Sequence, residues 1–339
     1  MTKFSCVMIA ALLAGAGCTK REQERKAPPA PAPAVVTADA GAVVDAAPSD
    51  ADRVAEALRK ADADAAAEAQ RWTDELKKQS IALRDATYKD AGAALAAILA
   101  SPHRVPGHAE RDAARHPVET LTFFGITPTM TVVELGAGGG WYTELLAPLL
   151  ANKGKLVVAG PAATGPADQM STVYGKRLDQ FLAKSPELFG KVERVSLSGP
   201  PIKLGADRSA DLVVAIREMH NWQRRNQLDA YLAGIHAVLK DGGTLGVVQH
   251  RAPAGTQGED TAEKGYLAED WVVERVKAAG FELVAKSEIN ANPKDTKDYE
   301  KGVWALPPNY ANQDVDKAKY TAIGESDRMT LKFKKVAKR

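Results

Sequence analysis

Cysteine is scarce in this chain of 339 residues. It has two, Cys6 and Cys18, and both lie close to the amino terminus. At most one of them survives removal of an amino-terminal signal. An intramolecular disulfide is therefore excluded in the mature chain, which must be stabilised by its hydrophobic core instead.

The sequence also lacks the features of two other classes of protein. Its amino-terminal apolar run, from Phe4 to Leu13, is too short to span a bilayer and is typical of a secretion signal. No stripe of lysine and arginine interleaves with aromatic residues, and the net charge is only +2. A nucleic-acid partner is therefore not expected.

The amino terminus predicts export. Residues 1–17 form the expected signal peptide, and the run from Leu12 to Cys18 resembles the processing site of bacterial lipoproteins. The resemblance implies that Cys18 is the lipidated first residue and that the chain is anchored to the cell envelope, facing the periplasm or the cell surface. Gly15 stands where that pattern usually has leucine, so an ordinary cleaved signal stays open as the alternative.

Composition divides the rest of the chain into three parts. Residues 18–50 are polar and then rich in alanine and proline, which predicts a semi-extended linker without a core. Residues 51–86 alternate alanine with charged residues and predict an exposed helical spacer. Residues 87–339 are long enough for one sizeable α/β domain.

The domain is organised around the stretch from Val132 to Tyr142, in which an apolar run and a carboxylate are followed by closely spaced glycines. The run suits a buried parallel strand, and glycines let the backbone turn sharply and lie close to a ligand. The spacing is Glu-x-Gly-x-Gly-x-Gly, which differs from the dinucleotide-binding fingerprint in the place of the third glycine. A tight turn without a ligand is the simplest alternative.

This motif resembles the first motif of the class I S-adenosylmethionine (SAM)-dependent methyltransferases, whose glycine loop wraps the amino-acid end of the cofactor. The resemblance implies SAM as the cofactor and an acid, Glu134, near its ammonium group. A nicotinamide oxidoreductase is disfavoured by the glycine spacing. The expected cofactor-binding residues are Glu134, Gly136, Gly138, Gly140 and Tyr142.

Alternating strands and helices follow. Seven strands are predicted, at residues 132–135, 154–159, 191–197, 211–216, 244–249, 281–287 and 328–333. The turn from Lys240 to Gly243 resembles the one that precedes the fifth strand in the same family. The predicted fold class is therefore α/β: a Rossmann-like, seven-stranded, mostly parallel sheet of the class I methyltransferase type, with helices on both faces.

The end of the second strand departs from the family. In most relatives an acidic residue ends this strand and holds the ribose hydroxyls, as it does in the dinucleotide folds. Here the strand runs into Gly160 and Pro161, and the next acid is Asp168. The sequence therefore offers no residue for the ribose at this place.

Candidate catalytic residues follow the fourth and fifth strands, whose carboxyl ends lie where open α/β sheets bind ligands. His220 is a candidate base, Asn221 can orient a donor or acceptor, and Trp222 can form an aromatic wall for the substrate. His250 is a second candidate base, and Arg251 is a candidate clamp for an anion. The structural alternative is that Asn221 caps a helix and Trp222 packs in the core.

Residues 101–116 contain three histidines and three arginines, and we expect this segment to cover the site. His103 and Arg104 are its candidate substrate-binding residues, and its arginines can pair with an anionic ligand group. No cysteine or carboxylate-rich ligand pattern accompanies the histidines, so no metal site is predicted. A solvated helix from Ala109 to Arg115 is the alternative.

Five segments between residues 100 and 333 together resemble a group of exported bacterial methyltransferases. They are Ser-Pro-His-Arg, Gly-Gly-Gly-Trp-Tyr-Thr-Glu, His-Asn-Trp, Asn-Pro-Lys-Asp-Thr-Lys-Asp and Gly-Glu-Ser-Asp-Arg-Met. The resemblance implies transfer of the SAM methyl group to an oxygen or nitrogen of a small-molecule or envelope acceptor. A non-catalytic ligand-binding lipoprotein that reuses the fold is the alternative, because fold does not imply function.

Overall fold

The computed structural model describes residues 49–257 and 260–336, which belong to one compact unit. The expected signal peptide, Cys18 and nearly all of the predicted linker lie outside the described residues. None of the helices in the described ranges combines the length and the apolar character of a membrane-spanning segment.

Strands and helices alternate through most of the described chain. The strands are β1 (Thr131–Leu135), β2 (Lys155–Pro161), β3 (Glu193–Leu197), β4 (Ala210–Ile216), β5 (Leu239–His250), β6 (Phe281–Ser287) and β7 (Arg328–Lys335). The helices are α1 (Asp50–Arg71), α2 (Asp74–Asp85), α3 (Ala91–Leu99), α4 (Asp112–Arg115), α5 (Pro117–Phe124), α6 (Thr143–Leu150), α7 (Met170–Ala183), α8 (Pro186–Phe189), α9 (Met219–Arg224), α10 (Leu228–Val238), α11 (Glu269–Ala278) and α12 (Lys317–Ile323). Short 3-10 helices span Ala109–Arg111, Ala262–Lys264 and Gly302–Ala305.

All seven strands form one sheet in the order β3-β2-β1-β4-β5-β7-β6. Strands β1 to β5 are parallel, and β7 runs antiparallel to both β5 and β6. The predicted fold class is therefore confirmed. The central strands β1 and β4 are neighbours although β2 and β3 lie between them in the sequence, and such a switch point is where open α/β sheets bind ligands.

Both faces of the sheet are buried, because successive strand residues alternate between two hydrophobic cores. Val132 and Val214 face the core formed with α3, α5 and α6. Val133 and Val213 face the core formed with α10 and α11. This explains why the strands read as continuous apolar runs.

The alanine-rich segment folds as two docked helices and not as an exposed spacer. Ser49 caps α1, and Thr73 caps α2 by accepting a hydrogen bond from the backbone N–H of Leu76. Trp72 and Leu76 are buried in the same core as α3 and α6. The boundary expected near residue 86 is therefore absent, because a few large apolar side chains among the alanines suffice to dock both helices.

The segment between β4 and β5 contains two helices, α9 and α10. Asn226 lies between them with φ 52°, a left-handed conformation that a continuous right-handed helix cannot contain. Helix α9 starts at Met219, so His220 and Trp222 lie on a short helix that directly follows β4.

We expect Trp72→Ala to lower the free energy of unfolding by about 3 kcal/mol, because truncating a buried tryptophan leaves a cavity. Ile81→Ala, at a side chain on α2 that is 37% exposed, is the control and should cost far less. Urea denaturation of both variants measures the difference. A loss for Trp72→Ala as small as the loss for Ile81→Ala would contradict the docking of these helices on the core.

Candidate active site

The glycine loop between β1 and α6 is open to solvent at its centre. Gly136, Gly138 and Gly140 all have positive φ, at 72°, 55° and 82°, which explains the glycine requirement. A methyl group added at Gly139 would meet no atom within 4 Å, and one added at Gly138 would only reach the carbonyl of Gly136 at 4.0 Å. The backbone is therefore free to be approached by a ligand at these two residues.

Gly140 lies in close contact with α7. A side chain at this position would collide with the ring of Phe181 on α7, so Gly140 allows the helix to pack against the loop. Tyr142 is buried and packs edge-on against Trp141, with ring centroids 4.6 Å apart. Gly140 and Tyr142 therefore make packing contacts in this structure, and the cofactor-binding roles expected for them stay predictions.

Glu134 lies beneath the loop. Its carboxylate is 2% exposed and accepts a hydrogen bond of 2.8 Å from Oγ1 of Thr143, at the start of α6. Burial raises the pKa of Glu134 to about 7, against the hydrogen bonds from Thr143. In this structure Glu134 connects β1 to α6.

The acid that lies over the loop is Glu218, which is not among the cofactor-binding residues expected from the sequence. A methyl group at Gly136 would overlap the side chain of Glu218, so the two are in direct contact. Asn221 Nδ2 donates a hydrogen bond of 3.5 Å to the Glu218 carboxylate, and burial raises the pKa of Glu218 to about 6. The available signal was its place, two residues beyond the end of β4.

His220 and His250 come together as expected from the topology, because β4 and β5 are adjacent parallel strands. Their rings are 5.4 Å apart, and both side chains are buried. Nδ1 of His220 lies 3.4 Å from Oε1 of Gln249, and Nδ1 of His250 lies 2.5 Å from the Ser326 hydroxyl. Asn221, the third candidate, contacts Glu218 instead of joining this pair.

Both imidazoles are held neutral at pH 7. Burial lowers the pKa of His220 to about 4, with Arg224 and Arg217 adding to the effect against the hydrogen bond from Gln249. Burial, His220 and Arg217 lower the pKa of His250 well below its ordinary value. His220 can therefore accept a proton, but it is a weaker base than an ordinary imidazole.

The long segment between β6 and β7 covers the histidines. The Trp304 ring lies 5.9 Å from the ring of His220, and the guanidinium of Arg224 lies over the Trp304 ring at 5.2 Å. Asn290 and Asp295 fix the segment, since Asn290 donates to Thr120 and Thr330 and Asp295 accepts from Tyr266. This segment closes the edge of the sheet at the ends of β4 and β5.

Two of the expected substrate-binding residues form hydrogen bonds and ion pairs with other residues of the chain. His103 is fully buried and its Nε2 lies 2.8 Å from the carbonyl of Glu144. Arg104 is paired with the carboxylates of Glu144 and Asp112. Their substrate-binding roles are therefore corrected to structural ones, because both side chains are buried and each guanidinium nitrogen of Arg104 donates a hydrogen bond to one of these acids.

Trp222 and Arg251 are corrected in the same way. Trp222 is stacked on Tyr231 at 4.3 Å and belongs to the core beneath the sheet, as the structural alternative expected. Arg251 is paired with Glu269 and Glu288, and Asp327 lies 3.9 Å from it. Trp222 is therefore not free to contact a ligand, whereas the side chain of Arg251 is held by carboxylates and is 21% exposed.

The end of β2 is occupied by a guanidinium in place of the missing acid. Arg194 on β3 donates hydrogen bonds to the carbonyls of Gly160 and Pro161 and pairs with Asp179. A cavity of about 320 Å³ instead adjoins the glycine loop at Gly139. Its polar lining comes from α1, α7 and the segment before α4, namely Asp64, Glu68, His108, Arg177, Gln180 and Lys184.

We expect His220→Gln to reduce the loss of stability in acid. Between pH 6.5 and 4 the unfolded chain protonates His220 and the folded chain does not, so the wild type loses stability as the pH falls through this window. The variant lacks this loss, and the difference should grow by up to about 1.4 kcal/mol per pH unit. Urea denaturation of both proteins at several pH values measures it, and parallel curves would contradict the buried neutral imidazole.

No protein-family model matches the chain, and no curated protein matches its sequence. Several solved structures are similar to it in fold. A SAM-dependent methyltransferase from Aquifex aeolicus is 17% identical with a TM-score of 0.44, over 67% of this chain and 93% of that one. The cyclase SpnF is also 17% identical, with a TM-score of 0.44, over 66% and 81% of the two chains.

A third similar structure contains a bound product of the cofactor. It is the Burkholderia thailandensis 1,6-didemethyltoxoflavin-N1-methyltransferase with 1,6-didemethyltoxoflavin and S-adenosylhomocysteine, 17% identical with a TM-score of 0.41, over 75% of this chain and 93% of that one. At this level of identity the likenesses concern the fold alone.

Proposed function

We propose that this chain is a SAM-dependent methyltransferase whose cofactor binds over the glycine loop at the switch point between β1 and β4. The observation that carries the proposal is the open backbone at Gly138 and Gly139, where added side chains would meet only empty space. The Glu-x-Gly-x-Gly-x-Gly spacing and the sheet order support the same assignment.

The residues around the loop fit such a cofactor. Glu218 would accept hydrogen bonds from its ammonium group, since this carboxylate lies against Gly136. Asp64 and Gln180, in the cavity at Gly139, are the groups proposed for the hydroxyls of its nucleoside, in place of an acid on β2.

The cofactor supplies a sulfonium methyl group that an oxygen or nitrogen nucleophile can take up. His220 and His250 border the proposed acceptor side, and as neutral imidazoles they can accept a proton from a hydroxyl or an amine. The low pKa of His220 limits this contribution. Holding the acceptor in line is therefore the larger proposed source of rate.

A non-catalytic ligand-binding protein is the second candidate. It is favoured by the end of β2, where Arg194 occupies the place of the ribose-binding acid. Binding of SAM by either candidate would raise the thermal stability of the purified chain, since a ligand that binds only the native state stabilises it. Incubating the purified chain with labelled SAM and a cell extract distinguishes the two candidates, because only an enzyme adds a labelled product to that of the extract alone.

We expect Gly139→Val to weaken SAM binding by at least about tenfold, or about 1.4 kcal/mol, because a branched side chain would fill the space proposed for the cofactor. The free chain tolerates the change, since a side chain at Gly139 meets no atom within 4 Å and its φ is not left-handed. Gly138→Val is less suitable because φ is 55° there. Calorimetric titration of the folded wild type and the folded Gly139→Val variant with SAM measures the effect. Equal affinities of the two proteins would refute the proposed site.

We further propose that the enzyme acts at the bacterial cell envelope through a lipid on Cys18. The support is the run from Leu12 to Cys18, which resembles a lipoprotein processing site, together with the linker composition that follows it. A lipid anchor with several acyl chains holds a protein stably, whereas a single chain does not.

Cys18→Ala is expected to move the protein from the membrane fraction to uncleaved precursor or soluble material. Cell fractionation followed by intact-mass analysis measures both the location and the modification. A wild-type chain that begins at Cys18 and carries no added lipid mass would refute the anchor. Cys6→Ala is the control, because Cys6 lies within the signal and should be removed with it.

A further inference from the structure

A group of four arginines, two of them buried and two partly exposed, lies between the glycine loop and the ends of β4 and β5. We call Arg111, Arg115, Arg217 and Arg328 the arginine cluster. Three of its members contact one carboxylate, Glu325: Nε of Arg111 at 2.9 Å, Nε of Arg115 at 3.2 Å and Nη1 of Arg328 at 2.8 Å. Arg217, which follows β4, acts on the same carboxylate electrostatically.

The cluster has more donors than the chain satisfies. Arg115 is 1% exposed, and neither Nη1 nor Nη2 has a hydrogen-bond partner, although its guanidinium lies over the Trp141 ring at 4.6 Å. Nε of Arg328 is also without a partner. Buried donors left unpaired cost free energy, which a bound oxyanion or water would recover.

Arg217 adds a positive charge without an ion pair. Among the described residues, no carboxylate lies within 4.0 Å of its side chain and no acceptor receives a hydrogen bond from its guanidinium. Its backbone has φ 59°, a conformation that costs a non-glycine residue free energy. Glu218 also interacts electrostatically with Arg217. Four guanidinium groups near two carboxylates, Glu325 and Glu218, leave an excess of two positive charges.

SAM cannot offset this excess, because its one carboxylate is outweighed by an ammonium and a sulfonium. The cluster also extends beyond the glycine loop to the acceptor side. Arg328 is the register partner of His250 across the β5–β7 pair, and Arg217 follows the last residue of β4. An anion bound here would therefore lie beside the two histidines.

We propose that the arginine cluster binds a carboxylate or phosphate group of the methyl acceptor, which makes the acceptor an acid. This inference rests on the proposed function. The anion serves as the anchor that holds the acceptor, and it is distinct from the atom that is methylated. Planar guanidinium groups suit such an oxyanion, because each can donate two parallel hydrogen bonds.

The first experiment measures anion binding without activity. The full-length chain in detergent is titrated calorimetrically with benzoate and with phenyl phosphate at constant ionic strength, with benzamide as the neutral probe. We expect saturable binding of at least one anion and none of benzamide. Arg217→Gln should weaken it by about tenfold or more, because hydrogen bonds to charged groups are the strong ones.

Two further variants control the substitution. Arg208→Gln makes the same substitution at another arginine with a left-handed backbone, at φ 55°. Unlike Arg217, Arg208 is exposed and pairs with Asp241. It should bind the anions as the wild type does, and Arg217→Lys should retain part of the affinity as a point charge. Equal affinity in the wild type and Arg217→Gln, or no anion binding at all, overturns the proposal.

The second experiment identifies which molecule supplies the anion. SAM and decarboxylated SAM are titrated into the wild type and Arg217→Gln. We expect the variant to bind both as the wild type does. If it loses affinity for SAM alone, the cluster holds the cofactor's own carboxylate and the acceptor assignment is overturned while the proposed function stands. A wild type that binds benzoate but not SAM overturns the proposed function, and with it the acceptor.

Discussion

The buried carboxylate of Glu325 holds the crevice together. Arg111 and Arg115 come from the segment before α5, Arg328 begins β7, and Glu325 itself ends the long segment that covers the histidines. Burial by itself would raise the pKa of Glu325, but the arginines lower it to about 2, so the carboxylate stays charged. Removing it would leave buried guanidinium groups without a counter-charge, which is strongly destabilising.

The fold could be predicted from the sequence because its signals are local and repeated. Apolar runs of strand length, the glycine loop after Leu135 and the turn at Asp241 each mark an element, and right-handed crossovers then order the parallel strands. What failed depends on single residues. The left-handed conformation at Asn226 and the docking of Trp72 leave no periodic trace, so neither the break between α9 and α10 nor the packing of the amino-terminal helices can be predicted from the sequence.

The candidate site was predicted only as far as topology dictates it. His220 and His250 meet because adjacent parallel strands end at one edge. Side-chain direction is a different matter. Trp222 follows β4 but is directed into the core, and Arg104, in the segment expected to cover the site, is directed into Glu144. Glu218 was missed for the converse reason: nothing in a single sequence distinguishes an acid that covers a glycine from one that faces water.

The excess charge of the arginine cluster bears on the two forms of the proposed cofactor. Methyl transfer removes the sulfonium charge, so S-adenosylhomocysteine is electrically neutral where SAM carries one net positive charge. A crevice with unbalanced guanidinium groups disfavours the charged form through Coulomb repulsion. If the proposed function holds, the chain without an acceptor would bind S-adenosylhomocysteine more tightly than SAM. Binding an acidic acceptor reverses that preference and couples the two ligands thermodynamically.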